Sequence, residues 1–389
     1  MVSLPLELHE RIVDSLSAHT NALGACSLVS RHWFPRARYH LFWTLDLSAD
    51  WTPEPNGMTS LLSLLLNSHT PATFTPYISS IILTRRTWGM TPVNSILSVL
   101  QRVGVVPNRL EIDCPAYEPL KPFFCASLRS LSLTLHLDIH IDTLLAYISA
   151  FPLLESLRLA GSARYQAEET GQTSDLDFIF RLQTLAVSGS NIATPLFSRL
   201  AEALCLCEHE SRHLEPSIRT ITLQNITVWT SVFDFLSSSA ARNVSQLLVS
   251  NCHIESTPFP IPLNSLQHLA VADTEPPQGI HTLLKLSSTF GLGHFLPTLL
   301  LSTVTIAFSR VPSPSSFVHA PWEELDAILS SKARFPQLRR FTIGMANDMN
   351  NFGKLRLSPL PQGLQDVLCG KGNGVLERCS ERGVMDFAK

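Results

Sequence analysis

Charge is scarce in this chain. Of its 389 residues only 16% are Asp, Glu, Lys or Arg, and the formal net charge is -3. Without a basic field, nothing draws the protein to a nucleic-acid backbone or an anionic membrane. The 29 basic residues are mostly arginine and scattered; Arg85-Arg86 and Arg339-Arg340 are the only adjacent pairs, and no nucleic-acid motif accompanies them. Long apolar runs are missing too. The most apolar stretch, Phe295 to Phe308, is interrupted by Pro297 and by Ser and Thr, and is shorter than the roughly 20 residues of a membrane span. The opening residues carry Pro5, Glu7 and Glu10 where a secretory leader needs an unbroken apolar core. The chain is therefore expected to be soluble and intracellular, in the cytoplasm or nucleus, with no membrane and no nucleic-acid partner. There its eight Cys remain thiols, and the sequons at Asn225 and Asn243 are chance matches.

Signatures of chemistry are absent as well. Gly370-Lys371-Gly372 lacks the spacing and the Ser/Thr of a phosphate-binding loop, and there is no G-x-S-x-G, H-E-x-x-H or paired C-x-x-C. Cys205, Cys207, His209 and His213 come nearest to a metal cluster, but the Cys-x-Cys spacing is atypical, and a core cysteine with solvated histidines is the better account. His136 and His140 lie in a strand region where they do not converge. Glu168-Glu169 and Glu323-Glu324 are adjacent and splay apart on a helix. No catalytic residue, cofactor or metal is expected. An enzyme on an α/β scaffold would need a deep pocket with convergent polar groups.

What the chain does have is apolar residues, 45% of the total, in two kinds of pattern. The first fills residues 1–48. Leu4, Leu8, Ile12 and Leu16 recur every fourth residue, one stripe of an amphipathic helix. Pro5 suits its first turn and Glu7 complements the positive end of its dipole. After a polar break at Ser17–Asn21, Leu23, Cys26, Leu28, Val29 and Trp33 come at near-helical spacing, and Leu41, Phe42, Leu45 and Leu47 lead into a strand. So short a module buries little alone. Either it caps the core of the rest of the chain, or it docks its apolar stripe on a partner.

The segment LPLELHERIVDSL, then ACSLVSRHWFPRARYHLFWTLDL, resembles the F-box-like domain of the expanded fungal F-box families. Leu4, Pro5, Glu7, Ile12, Cys26, Ser27, Leu28, Val29, Arg31 and Trp33 stand at the positions of that theme, and Arg38 with Leu41-Phe42 extends it, over about an eighth of the chain. Ser30 departs from it, where the family often has a second Cys. The resemblance implies a non-catalytic substrate receptor of an SCF-type ubiquitin ligase. Its head would bind a Skp-family adaptor, and through it a cullin–RING ligase. Carried over by position, the adaptor-binding candidates are Leu4, Pro5, Leu8, Ile12, Leu28, Val29 and Trp33. Some of these must also serve the module's own core, and Trp33 suits either role.

The second pattern is apolar, two residues, apolar, one residue, apolar. It stands at Ile78/Ile81/Leu83, Leu128/Leu131/Leu133, Leu154/Leu157/Leu159, Leu182/Leu185/Val187, Ile218/Ile221/Leu223, Val244/Leu247/Val249, Leu266/Leu269/Val271 and Leu338/Phe341/Ile343. Weaker copies lie at Leu110/Ile112 and Leu301/Val304/Ile306. This is the strand core of a leucine-rich repeat, and its recurrence predicts a solenoid. The fold class is then α/β: a helical F-box-like module, and over 49–356 an irregular leucine-rich-repeat solenoid with parallel strands on one face and helices or loops on the other. Helical or loop stretches are expected at 95–103, 141–151, 195–207, 232–241 and 322–335. Residues 357–389 read as a capping tail with a helix from Val375 to Arg382. The position three after the last strand residue, usually Asn or Cys, is met only by Cys252; Asn191 and Asn225 are one residue off. Uneven repeats leave a different α/β fold as the alternative, and a repeat scaffold with a purely structural cap as the alternative function. The partner expected on the repeat surface is a protein substrate that no motif identifies.

Overall fold

A computed structural model of the chain describes residues 5–47, 74–83, 93–114, 121–164, 177–209, 217–254, 263, 265–289, 300–333, 335–346, 357–369 and 376–387. The fold is α/β with mostly parallel strand pairing. Contacts group the chain into two compact units, Met1–Leu137 with Leu144–Leu154, and Asp138–Thr143 with Glu155–Lys389. Among the described residues no helix is long and apolar enough to cross a membrane.

The first unit opens with three helices, α1 (Leu6–Ser15), α2 (Thr20–Val29) and α3 (Phe34–Phe42), then β1 (Thr44–Asp46) and β2 (Ser80–Leu83). After α4 (Val93–Arg102) come β3 (Arg109–Cys114) and β4 (Ser130–His140); α5 (Ile141–Ser149) contributes to both units. β1 to β4 pair in parallel in chain order, with Leu45 opposite Ile81, Ile81 opposite Leu110 and Leu110 opposite Leu131. Alternation at period two turns Ile81, Leu83, Leu110, Ile112, Leu131 and Leu133 to one side, where each is buried.

The second unit repeats the device. Its elements in order are β5 (Ser156–Arg164), β6 (Thr184–Ser188), α6 (Ser190–His209), β7 (Thr220–Gln224), α7 (Thr230–Ser237), β8 (Gln246–Ser250), β9 (His268–Asp273), α8 (Pro276–Thr289) and β10 (Thr303–Phe308). The tail adds α9 (Pro314–Val318), α10 (Trp322–Leu329), β11 (Arg340–Ala346), β12 (Leu357–Ser358), α11 (Gln362–Cys369), α12 (Glu377–Glu381) and β13 (Met385–Phe387). β5 to β11 pair in parallel in sequence order. Two buried columns run across them: Leu157, Leu185, Ile221, Leu247, Leu269, Val304 and Phe341, and two residues on, Leu159, Val187, Leu223, Val249, Val271, Ile306 and Ile343. The apolar residue three before each first-column member is buried as well, at Leu154, Leu182, Ile218, Val244, Leu266, Leu301 and Leu338.

The entry loops stack on one another through the backbone. The Gln183 amide donates to the Glu155 carbonyl, Arg219 to Gln183, Ser245 to Arg219, Gln267 to Ser245 and Ser302 to Gln267, at 2.8–2.9 Å. At the exits of β6, β7 and β8 the chain turns sharply, and the residue after the strand has positive φ: Gly189 at 99°, Asn225 at 55° and Asn251 at 48°. Glycine adopts this geometry freely, and Asn best of the rest. A side chain at Gly189 would also set its Cβ 3.1 Å from the Gly161 carbonyl oxygen. Gly189→Ala is therefore expected to destabilise the protein by about 1–3 kcal/mol in urea unfolding; an unchanged midpoint would refute the strain.

The structure moves several expected boundaries. The helix expected at 195–207 begins at Ser190, which leaves Pro195 inside it. In the stretch expected at 322–335 the helix stops at Leu329. The tail holds more than a capping helix. β12 pairs antiparallel with β11, and β13 pairs parallel with β11, Phe341 facing Met385. Its helix α12 is anchored by a buried carboxylate on α10: Asp326 accepts the Arg378 amide at 3.1 Å and the Cys379 amide at 2.8 Å. From α12's end, Arg382 donates to the Leu329 and Phe335 carbonyls at 2.8 and 2.7 Å. Asp326→Ala would strand two amide donors, one of them buried; a loss of about 2 kcal/mol is expected, read as a lower urea midpoint.

Candidate functional site

Two places gather features that a partner or ligand could read. The first is the helical head. Its core is small: Val13, Leu23, Cys26 and Ala37 are buried, with Leu16, Trp33 and Leu41 packed against them. Once these are inside, the other apolar residues are left outside. Leu28 is 88% exposed, Val29 76%, Leu6 56%, Leu8 42% and Ile12 40%. Pro5 is exposed too, at the start of α1. The expected stripe along α1 therefore divides: Leu16 packs inward, Leu8 and Ile12 face water, and Val13, one residue round the helix, takes the core position. Trp33 goes to the core side and meets the His9 ring edge-on at 6.0 Å. Leu4 lies outside the described residues.

A polar clasp fixes the angle of α1 against α3. Asp14 accepts from Arg36 Nε at 2.6 Å and Nη2 at 2.9 Å, and pairs with His40 Nε2 at 2.7 Å. The Arg36 hydrogen bonds, then that of His40, hold the Asp14 carboxyl down at about 2. The pair is half-exposed, so its worth in stability is at most about 1 kcal/mol, and its main effect is orientation. Arg38 lies over the Phe34 ring, 4.0 Å from its centre, and covers part of that apolar surface.

The second place is a cavity of about 690 Å³ beside the carboxyl ends of β7, β8 and β9, lined by residues from Asn225 to Lys285. The ladder continues one residue beyond these strands: the Asn225 amide donates to the Ser250 carbonyl and the Asn251 amide to the Ala272 carbonyl, both at 2.9 Å. Asn225, Asn251 and Asp273 thus stand side by side on neighbouring strands. Asp273 is buried, and burial raises its carboxyl pKa. Cys252 fills the position read as the repeat's loop-satisfying residue. Its thiol points at the Ser250 carbonyl, 3.2 Å away, and accepts the Ile226 amide at 3.4 Å. Burial pushes that thiol up to about 12, so it is a structural group and a poor nucleophile. Thr282 and Lys285, on α8, donate to the Cys252 and Ile254 carbonyls at 3.3 and 2.7 Å and tie the loop to the helix. His253 and His281 hydrogen-bond neither Asp273 nor Cys252 through their rings. The arrangement can bind polar groups; among the described residues its lining pairs no nucleophile with a base.

Sequence reasoning did not find this cavity. Its residues come from three strand ends and a helix spread over about sixty positions, and none forms a motif. The one signal was Asp273, a carboxylate directly after the apolar run Leu269–Ala272. Among the described residues no group of His, Cys, Asp and Glu is arranged to hold a metal. The side chains of Cys205, Cys207, His209 and His213 lie outside the described residues. In comparisons with known proteins, the chain matches no family model and no curated protein sequence.

Proposed function

We propose that this chain is a substrate receptor of an SCF-type cullin–RING ubiquitin ligase, acting in the cytoplasm or nucleus. Its F-box-like head docks on a Skp-family adaptor through Pro5, Leu8, Ile12, Leu28 and Val29. Behind it, an irregular leucine-rich-repeat solenoid holds a protein substrate. One observation carries the reading: at the positions where the sequence resembles an F-box, four large aliphatic side chains stand in water while a separate set closes the core. Single exposed leucines are ordinary, but so many on one small module are what a docking face needs. The repeat reading draws support from the two apolar columns and from the stacked entry loops, since each strand leans on its neighbours for burial.

A second reading, a repeat scaffold whose head is only a cap, is favoured by the way the head is fastened. α3 runs straight into β1, the Trp43 carbonyl accepts the Ser79 and Ser80 amides at 3.0 Å, and Phe42 stacks on Phe74 at 5.0 Å. The two readings separate in one experiment. Full-length chain is co-expressed with a Skp-family adaptor and passed over a sizing column. The receptor reading expects a stoichiometric complex; both proteins eluting apart would sink it.

A further inference from the structure

We infer that the cavity beside β7, β8 and β9 receives a cationic side chain, an arginine guanidinium or a lysine ammonium, presented by a protein ligand. The inference deepens the receptor reading by naming what one part of the substrate surface must carry. It begins with Asp273, which is 3% exposed. Its Oδ1 accepts from the Thr274 amide at 2.7 Å and the Thr274 hydroxyl at 3.5 Å, the Glu275 amide also serves the carboxylate, and no cationic side chain among the described residues pairs with it. A buried carboxylate without a counter-ion is costly unless a cation arrives to neutralise it. On the next strand Asn251 holds a buried Oδ1 with no donor, in the same wall of the cavity. Backbone register makes residues 251 and 273 neighbours across the extended ladder.

Two donors of this wall are committed to the backbone. Lys285, among the described residues the one Lys or Arg in the lining, directs its Nζ to the Ile254 carbonyl, and the Thr282 hydroxyl serves the Cys252 carbonyl. The start of α8 would attract an anion, but the Asp273 carboxylate already takes the Thr274 amide there and would repel one. Beside neutral amides and two imidazoles, the lining therefore offers a ligand one carboxylate, and that charge is what favours a cation. The volume suits one long side chain with its flanking peptide.

The test uses full-length chain and four small probes in saturation-transfer NMR: the acetylated amides of arginine, lysine, citrulline and phosphoserine. Arginine or lysine should bind, and whichever binds better identifies the cation. Citrulline, arginine's uncharged isostere, should bind at least about tenfold more weakly. Asp273→Asn should cost a similar factor. Because that change touches a buried group, Gln278→Arg provides a second reading: Gln278 is exposed at the cavity and can supply a guanidinium from within, so the probe should be excluded from a chain that melts no lower. Equal binding of citrulline and arginine, preference for phosphoserine, no binding of any probe, or arginine binding unchanged in both variants would overturn the inference. None of these results bears on adaptor co-elution, so the two proposals fail separately.

Discussion

Under the proposed adaptor docking, Leu28→Lys with Val29→Lys should abolish co-elution with a Skp-family adaptor, weakening association by at least about a hundredfold, and leave the thermal melt within about 4 °C of the parent. Both halves of this expectation come from where these residues stand. At 88% and 76% exposed they bury almost nothing in the free chain, so replacing them costs little folding energy. They close the last turn of α2, where a cation complements the negative end of the helix dipole. In a docked complex the same positions would place two unpaired ammonium groups against an apolar partner, a penalty of several kcal/mol each. Leu8→Asp with Ile12→Asp on α1 should behave alike. If the head is only a cap, the melt should hold just as well, because these side chains are exposed in the free chain, and there is no complex to lose. Trp33→Ala provides the contrast: it removes a ring packed on Val13, Leu23, Cys26 and Ala37, so it should lower the melt first and affect binding only through the fold.

The strands were legible because their pattern obeys one rule. An inward side chain every second residue, plus one apolar residue three earlier, is a sequence property, and Leu182/Leu185/Val187 or Val244/Leu247/Val249 show it without help from the rest of the fold. Cys252 was legible for the same reason, since its place is fixed relative to Val249. Asn225 and Asn251 were harder. Their role is a left-handed turn, and the signal for it is a single residue whose meaning depends on where the strand ends. The start of α6 was hidden by Pro195, which sequence reasoning takes for a helix beginning and which here lies five residues in. β12 and β13 are two and three residues long, too short to show a period. In the head the stripe was readable but its facing was not. Leu8, Ile12 and Val13 are all apolar, and only the packing of α1 on α3, held by Asp14 and Arg36, decides which of them is inside.

That packing logic sets the other large effect. Leu185→Ala should cost about 3 kcal/mol, within the ~2–5 kcal/mol range for a fully buried leucine. Leu185 is 0% exposed and lies in register between Leu157 on β5 and Ile221 on β7, so it has a neighbour on each side along the column. Neither β-strand backbone can close in to fill the space, because both are held by parallel ladders on either side of β6. The cavity therefore remains, and its lining loses contacts outright. Leu45→Ala on β1 is the matched comparison. Leu45 is only part-buried, and β1 pairs among the described residues with β2 alone, so the loss should be near 1 kcal/mol. Urea unfolding of the two variants reads the difference directly. Equal losses would mean that burial along the columns does not govern stability, and that a strand inside the sheet gains nothing from having two partners.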